Sequence, residues 1–137
     1  MADRVRKVNY CYVTVPNRVG RGAEVLGKLR EAGTNLVAFS GFPVKGGAQL
    51  DIVASSLAPV RRVAKKHGWR LSKAKRGFHV QGKDEPGAVH RHVEKLARQN
   101  IGVTAADAVT AGSGRYGMIL WVKPKDYARA ARALGAR

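Results

Sequence analysis

The sequence predicts an α+β protein built from two copies of one strand–helix–strand–strand–helix unit. Three observations carry this. A shift of 67 positions, which lays Gly20 on Gly87, also pairs Asn17 with Asp84, Leu26 with Val93, Leu29 with Leu96, Leu36 with Val103 and Ile52 with Ile119, with no gap over most of each copy. Each copy shows the same order of hydrophobic periodicities, two-residue in strands and helical between them. The chain has 137 residues and is 45% hydrophobic, enough for a sizeable core in one domain or two small ones.

Residues 9–15, rich in Val, Thr and Tyr, read as the first strand. Residues 19–32 carry Ala23, Leu26 and Leu29 at helical spacing, and Gly33 stops that helix. Residues 36–42 form a second strand, 44–47 (VKGG) a turn and 50–56 a third strand. Pro59 opens a second helix with Val60, Val63, Ala64 and His67 on one face, ended by Gly68. Residues 69–71 suggest a short fourth strand. In the second copy, 78–81 is a strand and 86–99 a helix buried through Val89, Val93 and Leu96. Strands follow at 101–110 and 116–122, joined by the turn AGSGR, and then a helix at 125–134 buried through Tyr127, Ala130, Ala131 and Leu134. No fourth strand is evident in this copy. An open sheet edge is a pairing hazard, so either a homodimer or the residues before Val8 should cover it.

Strand–helix–strand–strand–helix–strand is the ferredoxin-like pattern, with antiparallel sheets and helices on one face. The expected modules are residues 1–72 and 73–137, and the short linker 71–77 favours docked copies over separated beads.

Each copy places its tightest loop before its first helix. Asn17 and Asp84 fall where a short polar side chain would cap the helix. Pro86 suits a first turn, since its missing N–H would be unpaired there. Gly20 and Gly87 allow close backbone approach, and the bare N–H groups of a helix start attract an anion such as a carboxylate.

The stretch DEPGAVHRHVEKLARQNIGV, residues 84–103, closely resembles the first loop, first helix and second strand of an ACT domain. PNRVGRGAEVLGKLREAGTNLVAF is a weaker match, with Val19 in place of Pro86. The resemblance covers about residues 8–135 as two ACT domains in tandem with no catalytic domain attached. It implies a non-catalytic regulator or sensor that binds an amino acid or related small metabolite between modules, where the first loop of one faces the start of the second strand of its neighbour. Carried onto this chain, the ligand-binding positions are Asn17, Arg18, Val19 and Gly20 with Asn35 and Leu36, and Asp84, Glu85, Pro86 and Gly87 with Gly102 and Val103. Asn35 offers a donor and an acceptor where Gly102 offers no side chain, so the two sites are unequal. The competing reading makes Asn17 and Asp84 caps, Gly20 and Gly87 packing positions, and Asn35 a turn residue. The open edge noted above makes a homodimer the expectation, and with no output domain evident, any regulated enzyme or transcription factor is expected to be a separate chain.

Other chemistry finds little support. His90 and His92 are two apart on a helix and point to different faces. No Cys pair or His-x3-His spacing accompanies them, so no metal or other cofactor is expected. No nucleophile elbow, P-loop or dinucleotide fingerprint is present, and acids are few, so the chain does not read as an enzyme. The lone Cys11 lies in an apolar strand and reads as a small buried hydrophobe. No apolar run approaches the roughly 18–20 residues of a membrane span. The first residues lack a signal peptide's apolar stretch, so a cytoplasmic location is expected.

Charge is the unusual feature: 26 Lys+Arg against 9 Asp+Glu, net +17. RRVAKKHGWRLSKAKR, residues 61–76, holds eight of the basic residues. Arg61, Arg62, Lys65 and Lys66 lie opposite the apolar helix face, echoed by Lys125, Arg129 and Arg132. A solvated outer face is the simplest account. The alternative is a ligand-free interaction module whose basic face docks on nucleic acid or an acidic protein. The third strands, AQLDIVAS and YGMILWV, lack the basic–Gly–aromatic signature of RNA recognition motifs, so nucleic acid is the less favoured partner.

Overall fold

A computed structural model describes residues 2–137. It is an α+β structure with six strands, β1 (Arg4–Val15), β2 (Leu36–Val44), β3 (Gly47–Ala54), β4 (Lys75–Lys83), β5 (Val103–Gly112) and β6 (Arg115–Val122). Four α-helices accompany them: α1 (Arg21–Glu31), α2 (Ala58–His67), α3 (Ala88–Arg98) and α4 (Tyr127–Leu134). A 3-10 turn at Pro124–Asp126 leads into α4.

The described chain divides into two compact units, Asn9–Lys75 and Arg76–Arg137, the latter joined by residues 2–8. The division falls after Lys75, and residues 2–8 pack with the second copy.

In the first-copy unit the strand order is β2-β3-β1, each pair antiparallel. Alternation along β1 and β3 turns Cys11, Val13, Val15, Leu50, Ile52 and Ala54 to one face, where Val25 and Leu29 of α1 and Val60 and Val63 of α2 cover them. Burying each such aliphatic side chain contributes about 1.5–3 kcal/mol. The residues 69–71 do not form a full strand; they make a single antiparallel bridge, Val13 to Leu71, supported by the Ser72 N–H donating to the Tyr12 carbonyl at 2.8 Å.

Cys11 is 1% exposed, and burial pushes its thiol up to about 11. Native protein at pH 8 should therefore resist iodoacetamide for hours and react fully in denaturant. Rapid labelling of the native fold would contradict this placement.

The second-copy unit orders its strands β1-β4-β6-β5, with β1 contributing its first half. The edge without a fourth strand is thus covered by residues before Val8, one of the two expected solutions. Val5 is buried in the same cluster as Phe78, Val80, Leu96, Leu120, Tyr127 and Leu134. Arg137 secures the other edge of β1, donating to the Val5 carbonyl at 3.1 Å and accepting from the Lys7 N–H at 3.0 Å.

Loop chemistry repeats with the 67-residue shift. All four helices end in the paired 6→1 and 5→2 hydrogen bonds of a Schellman motif, for example Trp69 N–H to Ala64 O at 2.8 Å and Ala136 N–H to Ala131 O at 2.9 Å. After α3 the left-handed residue is Asn100 (φ 56), one of the few non-glycine types that tolerates it. The β5–β6 hairpin turns through Ser113 (φ 58) and Gly114 (φ 68), both left-handed as a type I′ turn requires.

Several local expectations are corrected. Asn17 and Asp84 are not helix caps: the caps are Gly20 (φ 92) and Gly87 (φ 81), with no side-chain cap bond, because each loop continues three residues further before the helix begins. Pro86 precedes the cap rather than occupying the first turn. The buried stripe of α3 is Ala88, His92 and Leu96, while Val89 is exposed and Val93 only half-buried. On α1 the buried residues are Val25 and Leu29, with Ala23 exposed. His67 is exposed, whereas Val60, Val63 and Ala64 are buried.

Candidate functional site

The first loop of the second-copy unit is held at both ends. The Asp84 N–H donates to the Gly114 carbonyl at 2.8 Å, tying the loop to the β5–β6 turn. The Glu85 carboxylate lies 3.3 Å from Arg91 Nη1 and 3.9 Å from Lys83 Nζ. Gly87 then turns the chain in the left-handed region, which glycine enters without strain. Asp84, Glu85, Gly87, Val89, Thr110 and Tyr116 line a cavity of about 350 Å³, roofed by α3 and the distal part of β5. Pro86 is exposed beside it.

Behind this cavity lies a buried polar cluster that sequence reasoning missed. The Asp3 carboxylate, 6% exposed, accepts from the Tyr116 hydroxyl at 2.6 Å and from His92 Nε2 at 2.6 Å. Arg91 Nε stands 3.4 Å from the same oxygen, so this guanidinium bridges Asp3 and Glu85. His92 is 2% exposed, and its Nδ1 finds no partner among the described residues. The Tyr116 hydroxyl oxygen also lies 3.3 Å from the Ala88 carbonyl. Burial pushes the Asp3 pKa up, but the hydrogen bonds from Tyr116 and His92 and the Arg91 charge outweigh it and hold the carboxyl below its ordinary 3.8. Burial and the Asp3 hydrogen bond push the Tyr116 phenol well up, so it stays a donor.

A signal for this cluster was present. His92 sits four residues from both Ala88 and Leu96, on the face that must be buried. Gly82 interrupts an apolar strand alternation, and a Cβ there would collide with the Asp3 carboxylate. What the pattern could not supply was the partner, 89 positions away.

In the first-copy unit, Asn17, Arg18, Val19 and Gly20 are all exposed, with the Arg18 N–H bonded to the Pro16 carbonyl at 2.9 Å. The loop borders a larger cavity of about 600 Å³ through Pro16 and Arg21 only. At the second-strand positions, Asn35 and Gly102 are exposed and Leu36 and Val103 half-buried. Neither pair lines the cavity of its own unit. In an antiparallel unit of this kind, the first loop and the start of the second strand lie at opposite ends.

Among the described residues no three His, Cys, Asp or Glu side chains gather as a metal site. No helix is long and apolar enough to cross a membrane. His79 is pushed below its usual pKa by burial and by Arg6. The basic side chains Arg61, Arg62, Lys65 and Lys66 are exposed along α2, as are Lys125, Arg129 and Arg132 at and before α4.

A fold of this kind, units of antiparallel sheet with packed helices, is shared with solved structures of aspartate kinase regulatory subunits. The regulatory subunit of aspartate kinase from Thermus thermophilus, in its ligand-free form, superposes with a TM-score of 0.61 at 15% identity, over 98% of this chain and 93% of that one. A C-terminal regulatory domain ascribed to aspartate kinase of Porphyromonas gingivalis gives 0.56 at 16%, over 98% and 94%. A protein from Bacteroides thetaiotaomicron gives 0.77 at 16%, over 97% and 88%. These likenesses establish the fold. No family model matches the sequence, and no curated protein matches it.

Proposed function

We propose that the chain is a non-catalytic regulatory protein of two tandem ferredoxin-like ACT modules, divided near residue 72, that binds an amino acid or related small metabolite. The observation that carries this reading is the cavity at Asp84, Glu85 and Gly87, where acidic side chains meet a helix start with no side-chain cap. Asp84 and Glu85 suit a ligand ammonium, and the first-turn N–H groups of Val89 and His90 suit its carboxylate, the Ala88 N–H being taken by the Glu85 carbonyl at 3.1 Å. The weaker loop, Asn17 to Gly20, serves the first module, and Asn35, Leu36, Gly102 and Val103 complete sites from a neighbouring module. Kinship of fold with aspartate kinase regulatory subunits supports the reading. A cytoplasmic homodimer acting on a separate enzyme or transcription factor is part of the same proposal. Ligand acts by favouring one arrangement of modules through differential affinity.

A thermal-shift screen with the standard amino acids at fixed moderate salt tests it. A ligand at a hundredfold excess over its dissociation constant adds about 2.7 kcal/mol, several degrees in midpoint. One stereospecific hit is expected, abolished by Asp84→Ala. Hits without stereospecificity, or untouched by Asp84→Ala, would count against the site.

The exposed basic row on α2 supports a second reading, an interaction module for nucleic acid or an acidic protein. It predicts salt-dependent binding that is lost on charge reversal at Arg61, Arg62, Lys65 and Lys66 and is indifferent to Asp84→Ala.

A further inference from the structure

We infer that the cavity of about 600 Å³ in the first-copy unit is a binding site for a small organic carboxylate with an aromatic body. It is separate from the loop site above and does not rest on it. Its volume lies within the range of small-molecule sites. The repeat itself indicates the chemistry. In the second-copy unit the Asp3 carboxylate is set against Gly82, Arg91 and His92. The 67-residue shift carries those three positions onto Val15, Glu24 and Val25, and all three line this cavity. The same place in the fold therefore houses a buried carboxylate in one unit and a cavity in the other.

The lining suits such a guest. The Arg21 guanidinium is engaged by Glu24 at one nitrogen only, Nη1, at 3.2 Å. Its Nε–H is buried and finds no acceptor among the described residues. A buried donor left unmatched is costly, and a carboxylate is its strongest complement. Lys28 adds a second cation at the rim, held loosely by Glu31 at 3.7 Å. The aromatic body is matched by Trp69, half-buried and stacked on His67 with ring centroids 5.9 Å apart, and by the apolar side chains of Val13 and Val25. Gly27 keeps the α1 wall low, since a Cβ there would meet nothing within 4 Å.

The test is a titration of the isotope-labelled full chain with indole-3-propionate and phenylpropionate, followed by amide and indole resonances. Saturable shifts are expected at Gly27, Gly68 and the Trp69 indole N–H. The matching primary amides should bind at least tenfold more weakly, as should the acids to Arg21→Gln. Gly27→Leu fills the cavity from a half-buried position on α1 without straining the backbone and should abolish binding while leaving the melting midpoint unchanged or higher. Asp84→Ala should leave this binding intact, which separates its fate from that of the loop site. Equal binding of acid and amide, shifts centred on residues 84–87, full binding by Gly27→Leu, or no saturable shift with either acid would each overturn the inference.

Discussion

Asp3→Ala is expected to lower the free energy of unfolding by about 3 kcal/mol, because it strips a buried acceptor from groups that cannot rejoin water. The Tyr116 hydroxyl and His92 Nε2 both lie 2.6 Å from that carboxylate. Without it, residues before Val8 lose their polar anchor in the second-copy unit. Gly82→Ala should weaken the same seat from the other side, by driving a methyl group into the carboxylate. The effect also has a pH signature. The folded Asp3 carboxyl lies below its ordinary 3.8, so the unfolded chain takes up the proton first as pH falls. This contribution is complete above about pH 4 to 5 and fades as pH drops through the folded value. Denaturation midpoints measured from pH 6 to pH 2 should fall more steeply for the native sequence than for Asp3→Ala. Parallel acid limbs would show that Asp3 is not held as described.

Phe78→Ala should cost still more, about 4 kcal/mol. Phe78 is 0% exposed and lies flat against Tyr127, with centroids 4.7 Å apart and planes 7° off parallel. Tyr127 is fixed in turn by its hydroxyl, which donates to the Gly77 carbonyl at 3.1 Å, and by the Arg76 guanidinium 4.1 Å over its ring. Truncation would leave a large void under a ring that cannot collapse into it. The repeat supplies a control. The 67-residue shift carries Phe78 onto Cys11 and Tyr127 onto Val60, both buried in the first-copy core. Cys11→Ala removes one sulfur atom and should cost only about 1 kcal/mol. Comparable losses at the two positions, read from guanidinium denaturation, would contradict the packing described for the two cores.

The repeat was legible because it is written in local chemistry. The turn at 112–115, the stop after Gly33 and Gly68, and the apolar stripe of Tyr127, Ala130, Ala131 and Leu134 each depend on residues within a few positions of one another. Periodicity and turn chemistry reach no further than that, but they reach that far reliably. The α3 stripe was misjudged by one position for a related reason. Val89 and Val93 are the more apolar residues, yet His92 is the buried one, because a partner from the far end of the chain neutralises the cost of burying it.

Sequence by itself determined the six main strands and four helices to within a few residues, their repeated order, the burial of Cys11 and the need for something to cover the edge left by a missing strand. Tertiary structure decided what covers it, and so placed Asp3 in the second-copy unit beside His92, Tyr116 and Arg91. It also decided that glycines, not Asn17 and Asp84, cap the first helices, and that the two copies differ at one equivalent place, a carboxylate in one and a cavity in the other. The physical reason is range. Backbone preference and amphipathic period act between neighbours, whereas a buried charge is tolerated only through groups that the folded chain brings to it, here from residues 88 to 113 positions away in sequence.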